Sequence, residues 1–145
     1  MNFLLDTCVL SEVWKRRPDP PVLEWLDLQA EQGLFLSSLT IGELTKGVMR
    51  MPAGSRRDRL HAWLEKALPA RFEGRILPID GDIAARWGLI SAEAETRGET
   101  LPVIDSLIAA TAVFHGLTVA TRNEHDFTRC SAPVVNPWKM EHPTT

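Results

Sequence analysis

Sulfur is scarce in this chain and long apolar runs are missing. Its two cysteines, Cys8 and Cys130, form no Cys-x-x-Cys pair and lack the neighbouring His or Cys that zinc spacing requires. A disulfide framework and a zinc site are set aside, and both thiols are expected to be buried in a reducing compartment. No stretch of about 18 apolar residues exists to span a bilayer. The N-terminal "MNFLLDTCVLSEVWKRRPDP" places an acid where a secretory signal keeps its apolar centre. The expectation is a cytoplasmic protein without a membrane partner. Repeats, low-complexity tracts and linkers are absent too, and 145 residues, 44% of them hydrophobic, suit one buried core rather than two. Residues 1–145 therefore read as a single domain.

An excess of basic residues is also lacking. A net charge of −3 argues against a polyanionic partner, because such affinity comes mostly from cations at phosphates. The average conceals a distribution. If four carboxylates hold divalent metal, the rest of the chain turns net positive and the ions add charge where a phosphate would sit. Basic residues cluster at Lys15 to Arg17 and at Arg56 to Arg59, flanked by Arg50, Lys66, Arg71 and Arg75. Each cluster also has the plainer reading of a solvated helix face.

What the chain does have is an alternation of strand-like and helix-like segments. "NFLLD" reads as a strand and "TCVLSEVWK" as a helix, with apolar Val9, Leu10, Val13 and Trp14. Prolines then open a helix over "PPVLEWLDLQAEQ", which Gly33 closes. "LFLSS" is a second strand, and "TIGELTKGVMRM" a helix whose Thr40 and Glu43 have capping-box spacing. A turn over Pro52 to Ser55 leads to a long helix from Arg56 to Arg71, followed by the strand "RILPID". Helices are expected from Asp82 to Arg97 and over "VIDSLIAATAVFHG", whose alanines permit close approach to a sheet and whose Gly116 ends it. "LTVAT" and "APVVNPW" complete five strands. Such alternation predicts an α/β fold, a three-layer α/β/α sandwich around a mainly parallel sheet.

In that topology every strand ends on the edge where ligands bind, and four acids fall there. Asp6 ends the first strand, Glu43 follows the second, Asp105 opens the alanine-rich helix, and Asp126 lies in the loop after the fourth. Each has a structural reading: Asp6 as a helix cap, Glu43 in its capping box, Asp105 as a helix-dipole partner, Asp126 as a turn residue. Two of them are embedded in apolar sequence, "FLLDTCVL" and "LPVIDSLIAATA", where an unpaired charge is costly. Gathered carboxylates repel unless a cation joins them. Oxygen ligands without clustered histidines or thiolates favour Mg²⁺ or Mn²⁺, and such ions serve phosphoryl chemistry.

"LLDTCVLSE", "SSLTIGEL", "LPVIDSLIAATA" and "TRNEHDF", in this order and spacing, resemble the PIN-domain ribonucleases, specifically the VapC/FitB-like toxins of toxin–antitoxin pairs. The likeness runs from Asn2 to about Trp138. It implies a metal-dependent endoribonuclease that hydrolyses phosphodiester bonds of single-stranded RNA, often a tRNA loop, with Mg²⁺ or Mn²⁺ as cofactor. By position, Asp6, Glu43, Asp105 and Asp126 would be the acidic quartet, with Asp6 and Asp105 the most direct ligands. Thr121 would be the hydroxyl that orients an acid, and Asn123 the amide of the Thr-Arg-Asn motif. Glu124 and His125 occupy variable positions, His125 reading as a surface residue. Arg122 is open between substrate phosphate and a structural ion pair, and Cys8 stands where the family often has Asn. The resemblance also implies a homodimer and an antitoxin protein with a DNA-binding end whose C-terminal segment covers the acids. The helix around Arg56 to Arg59 would be the RNA-guiding surface.

Rival readings differ in class. A receiver domain needs paired acids after its first strand and a Lys after its last, and a haloacid-dehalogenase-type phosphatase needs a second Asp where Cys8 stands. "LLDTCV" and "TVATRN" supply none of these. A non-catalytic, metal-stabilised module that binds RNA or protein is the alternative that survives.

Overall fold

The computed structural model describes residues 1–140; the last five of the expected domain lie outside the described residues. Strands β1 (Phe3–Leu5), β2 (Leu34–Ser37), β3 (Ile76–Leu77), β4 (Thr118–Ala120) and β5 (Val134–Val135) form one parallel sheet in the order β3-β2-β1-β4-β5. Side chains alternate across it, as the two-residue period of a strand demands. Phe3 and Leu5 join one apolar cluster, and Leu4 between them joins the other.

Each cluster is covered by its own helices. On one side lie α1 (Thr7–Glu12), α2 (Pro20–Leu28), α3 (Ser38–Met49), α4 (Ser55–Ala62) and α5 (Leu68–Arg71), which contribute Val9, Trp25, Leu44 and Leu68. On the other, α6 (Gly81–Thr96), α7 (Val103–His115) and α8 (Glu124–Thr128) contribute Ile83, Ile90, Ala109, Ala112 and Phe127. The result is the expected α/β/α sandwich. The alanines of α7 are fully buried, consistent with a helix lying close on the sheet. Gly116 then adopts φ 68° and the Leu117 amide donates to the Ala112 carbonyl at 2.8 Å, the left-handed termination that glycine makes cheaply.

Helix α1 ends at Glu12 rather than Lys15 and β3 is shorter than "RILPID", and four further differences from the sequence reading have a local reason. The capping box at Thr40 and Glu43 does not form: Ser37 caps α3, its hydroxyl accepting from the Leu39 amide at 3.1 Å, while the Thr40 hydroxyl is buried without a partner. Helix α2 ends at Leu28 rather than Gln32, and a 3₁₀ turn over Glu31–Gly33 follows. There the buried Arg75 donates to the carbonyls of Glu31 and Leu34 at 2.6 Å, and Arg71 makes a two-pronged bond to the Glu31 carboxylate. The long helix from Arg56 is interrupted by a π turn over Trp63–Ala67. Pro69 has no N–H to give the Glu65 carbonyl and its ring crowds that oxygen. Finally, "TRNEHDF" is not all loop, because Glu124 to Thr128 form α8.

The chain leaves β1 toward β2 and leaves β4 toward β5, in opposite directions across the sheet. The crevice between the C-terminal ends of these adjacent strands is the topological switch point, where ligands bind in open parallel sheets.

Candidate active site

Asp6 and Thr121 are the first residues beyond β1 and β4, so strand register alone brings them side by side. The pairing of Leu5 with Ala120 sets the register, and the Asp6 amide donates to the Ala120 carbonyl at 3.0 Å. The fully buried Thr121 hydroxyl then donates to Asp6 Oδ2 at 2.8 Å and accepts from the Asn123 amide at 3.0 Å. One hydroxyl thus fixes an acid and the start of α8 together. Asp6 also accepts from the Thr7 amide at 2.9 Å, so the capping and site readings hold at once. Burial raises its pKa, with Glu43 adding to the shift, against the bonds from Thr121 and Thr7.

Thr7 escaped the sequence reading. Its amide holds Asp6 and its hydroxyl donates to Glu43 Oε1 at 2.7 Å, joining acids 37 positions apart in the chain. The only signal was the Asp-Thr pair itself. Glu43 sits in the second turn of α3, since that helix begins at Ser38.

Asp105 lies in the first turn of α7. That turn is pinned from α6, where Trp87 Nε1 donates to the Ser106 hydroxyl at 2.9 Å, and the hydroxyl donates in turn to the Val103 carbonyl. Burial, then the charges of Asp6, Asp126 and Glu43, push the Asp105 carboxyl up to about 6, with Arg129 opposing. Asp6, Glu43 and Asp126 are therefore all within electrostatic reach of Asp105. Among the described residues, however, no three His, Cys, Asp or Glu side chains stand as a ready-made metal cluster. Asp126 is already engaged, by Arg129 Nη2 at 3.2 Å.

The remaining predicted positions are distributed as follows. Asn123 is exposed and caps α8 without a side-chain bond, and its backbone amide donates to the Thr121 hydroxyl. His125 is exposed. Arg122 is exposed and stacks over Trp138 at 5.3 Å; burial raises the Glu12 pKa, but the bonds from Lys15 and the Asp19 amide, with the charges of Lys15 and Arg122, lower it overall. Cys130 is buried, but Cys8 is only half-buried. Its thiol reaches Asp6 Oδ2 and Thr121 Oγ1 at 3.7 Å each, and burial with the Asp6 charge pushes it up to about 11. Glu12, also unforeseen, accepts from the Asp19 amide and pairs with Lys15 at 2.7 Å, which ties down the turn after α1.

Residues 3–132 match the family model described as the PIN domain. The chain belongs to that family. This PIN domain is 42% identical over 136 residues to VapC ribonuclease Y4jK of Sinorhizobium fredii, covering 94% of the chain and 97% of the relative. It is 41% identical over 135 residues to toxin FitB of Neisseria gonorrhoeae, covering 93% and 97%. Against the solved structure of FitAB bound to an IR36 DNA fragment, the TM-score is 0.90 at 38% identity, covering 98% of this PIN domain and 99% of that chain. Within the family its likeness is thus to the VapC and FitB toxins. All-oxygen donors that raise one another's proton affinity suit a hard divalent cation, so the donor chemistry fits such an ion although the side chains are not gathered into ligand contact.

Proposed function

We propose that this PIN domain is a metal-dependent endoribonuclease, the toxin of a toxin–antitoxin pair, that hydrolyses phosphodiester bonds in single-stranded RNA. The observation that carries the reading is that Asp6, Glu43 and Asp126 all lie within electrostatic reach of Asp105, with Asp6 at the β1/β4 switch point bonded to the Thr121 hydroxyl. The name of the Sinorhizobium relative supplies the ribonuclease class. Asp6 and Asp105 would hold Mg²⁺ or Mn²⁺, with Glu43 and Asp126 completing the site. When bound, the ion would activate water and stabilise the leaving oxygen.

The chain's own residues supply orientation. Thr121 holds one oxygen of Asp6 and the Thr7 amide holds the other, so this carboxyl has little rotational freedom left. The Thr7 hydroxyl does the same for one oxygen of Glu43. The solved relative is FitAB bound to DNA, which supports a partner antitoxin with a DNA-binding end; a homodimeric working form in the cytoplasm is part of the same proposal.

Purified protein incubated with a mixed tRNA pool in Mg²⁺, Mn²⁺ or EDTA tests the reading. Discrete fragments are expected with metal and none in EDTA. Asp6→Asn and Asp105→Asn should each slow cleavage by about 100-fold or more, the size of a few kcal/mol of barrier. Folded protein that binds metal through these aspartates but cuts nothing in the pool would point to the non-catalytic binding module instead.

A further inference from the structure

A cleft of about 510 Å³ runs along the outer face of α3. Glu43 lines it, followed by Lys46 on the same helix and by Arg50, which caps the helix in helical conformation, and Ile104, the residue before Asp105, also lines it. The cleft therefore reaches the acidic site at Glu43 and at Thr7, whose hydroxyl donates to Glu43. Lys46 and Arg50 stand three and seven positions beyond Glu43, on one helical stripe. At about 1.5 Å of rise per residue they lie about 4.5 and 10.5 Å along the axis from it.

Neither cation pairs with an acid among the described residues, whereas Arg71, Arg75, Arg97 and Arg129 all do. The cleft is also lined by Gly42, beside Glu43, and by Gly47, between the two cations, where an added Cβ would meet nothing within 4 Å. Glycine in a helix interior costs about 1 kcal/mol relative to alanine, and here no neighbour requires it. The missing side chains leave clearance in the cleft. Past Arg50 a second cleft of about 390 Å³ contains Arg56 and Arg57. These guanidinium groups donate to the carbonyls of Trp14 and Met51 and pair with no acid among the described residues.

We propose that Lys46 and Arg50, continued by Arg56 and Arg57, bind phosphates of the single-stranded RNA on one side of the bond presented to the acids. The proposal deepens the ribonuclease reading and rests on it. Cations strung along a helix, rather than clustered, complement a polymer with a charge at every repeat. An acidic protein segment is the competing occupant. It would meet Glu43 at one end of the same cleft with no phosphate to bring into the reaction.

The test is fluorescence anisotropy of a labelled, unstructured single-stranded RNA, in EDTA so that it is not cut, over a series of salt concentrations. Each phosphate contact contributes about 0.7 to the slope of log affinity against log salt for single strands. Lys46→Ala with Arg50→Ala should therefore flatten the slope by about 1.4, while Lys46→Arg should leave it unchanged and melting curves should stay the same. An unaltered slope in the double variant, with wild-type protein that binds and cuts RNA, overturns the lane and leaves the ribonuclease standing. Wild-type protein that neither binds nor cuts RNA overturns both. An unaltered RNA slope together with lost binding of a poly-glutamate peptide assigns the cleft to an acidic protein segment and also overturns the proposal.

Discussion

At Asp105, burial comes first and three neighbouring acids add to it, so the carboxyl is pushed up to about 6 despite Arg129. An unfolded aspartate titrates near 3.9. The fold thus binds this proton more tightly than the unfolded chain does, and the associated stability is complete below about pH 4 and is lost as pH rises through about 6. In EDTA, Asp105→Asn should be more stable than the parent at neutral pH by about 1 kcal/mol, once solvent screening of a half-buried group is allowed for. The melting temperature should rise by about 3 °C, and the gap should close below about pH 4. Thermal melts over that range check this, and a variant that melts lower than the parent at neutral pH would contradict it. Asp6 and Asp105 were legible because each is a charge inside apolar sequence. Thr7 and Glu12 were not, because a hydroxyl or an acid on a short helix announces nothing until its partner, 36 or 7 positions away, is in place.

Among the elements, strands and long helices followed from periodicity and from prolines and glycines that mark ends. Gly116 is the clearest of these marks. Its φ of 68° makes Gly116→Ala cost about 1 kcal/mol or somewhat more, a fall in melting temperature of about 3 °C, which calorimetry would detect. An unchanged melt would mean that the end of α7 relaxes without penalty. The features that escaped are those decided by competition. Ser37 and Thr40 both qualify as caps, and the strand β2 that ends at Ser37 settles which one acts. Gln32 would have continued α2 on propensity, but Arg75, more than 40 positions later, claims the carbonyls of Glu31 and Leu34. Local sequence carries no trace of that bond. Arg71 and Arg75, read beforehand as part of a basic surface, are spent on Glu31.

Over the whole molecule, a site made of carboxylates from separate elements converts ion binding into stability. If Asp6 and Asp105 hold Mg²⁺ or Mn²⁺, either ion at about 100 times its dissociation constant should stabilise the fold by about 2.7 kcal/mol. Asp105→Asn should remove most of that gain, which a metal titration followed by thermal melting would read. Equal melts with and without ion in the parent would argue against a hard-cation site. The bond from Thr121 to Asp6 closes a loop of 115 residues, and β1 at the centre of the sheet has β4 as one of its two neighbours. During synthesis, therefore, the first acid is made at once but waits for almost the whole chain before it is held. A messenger cut short between the codons of Asp105 and Thr121 would yield a product that has Asp6 and Asp105 but not the hydroxyl that holds Asp6.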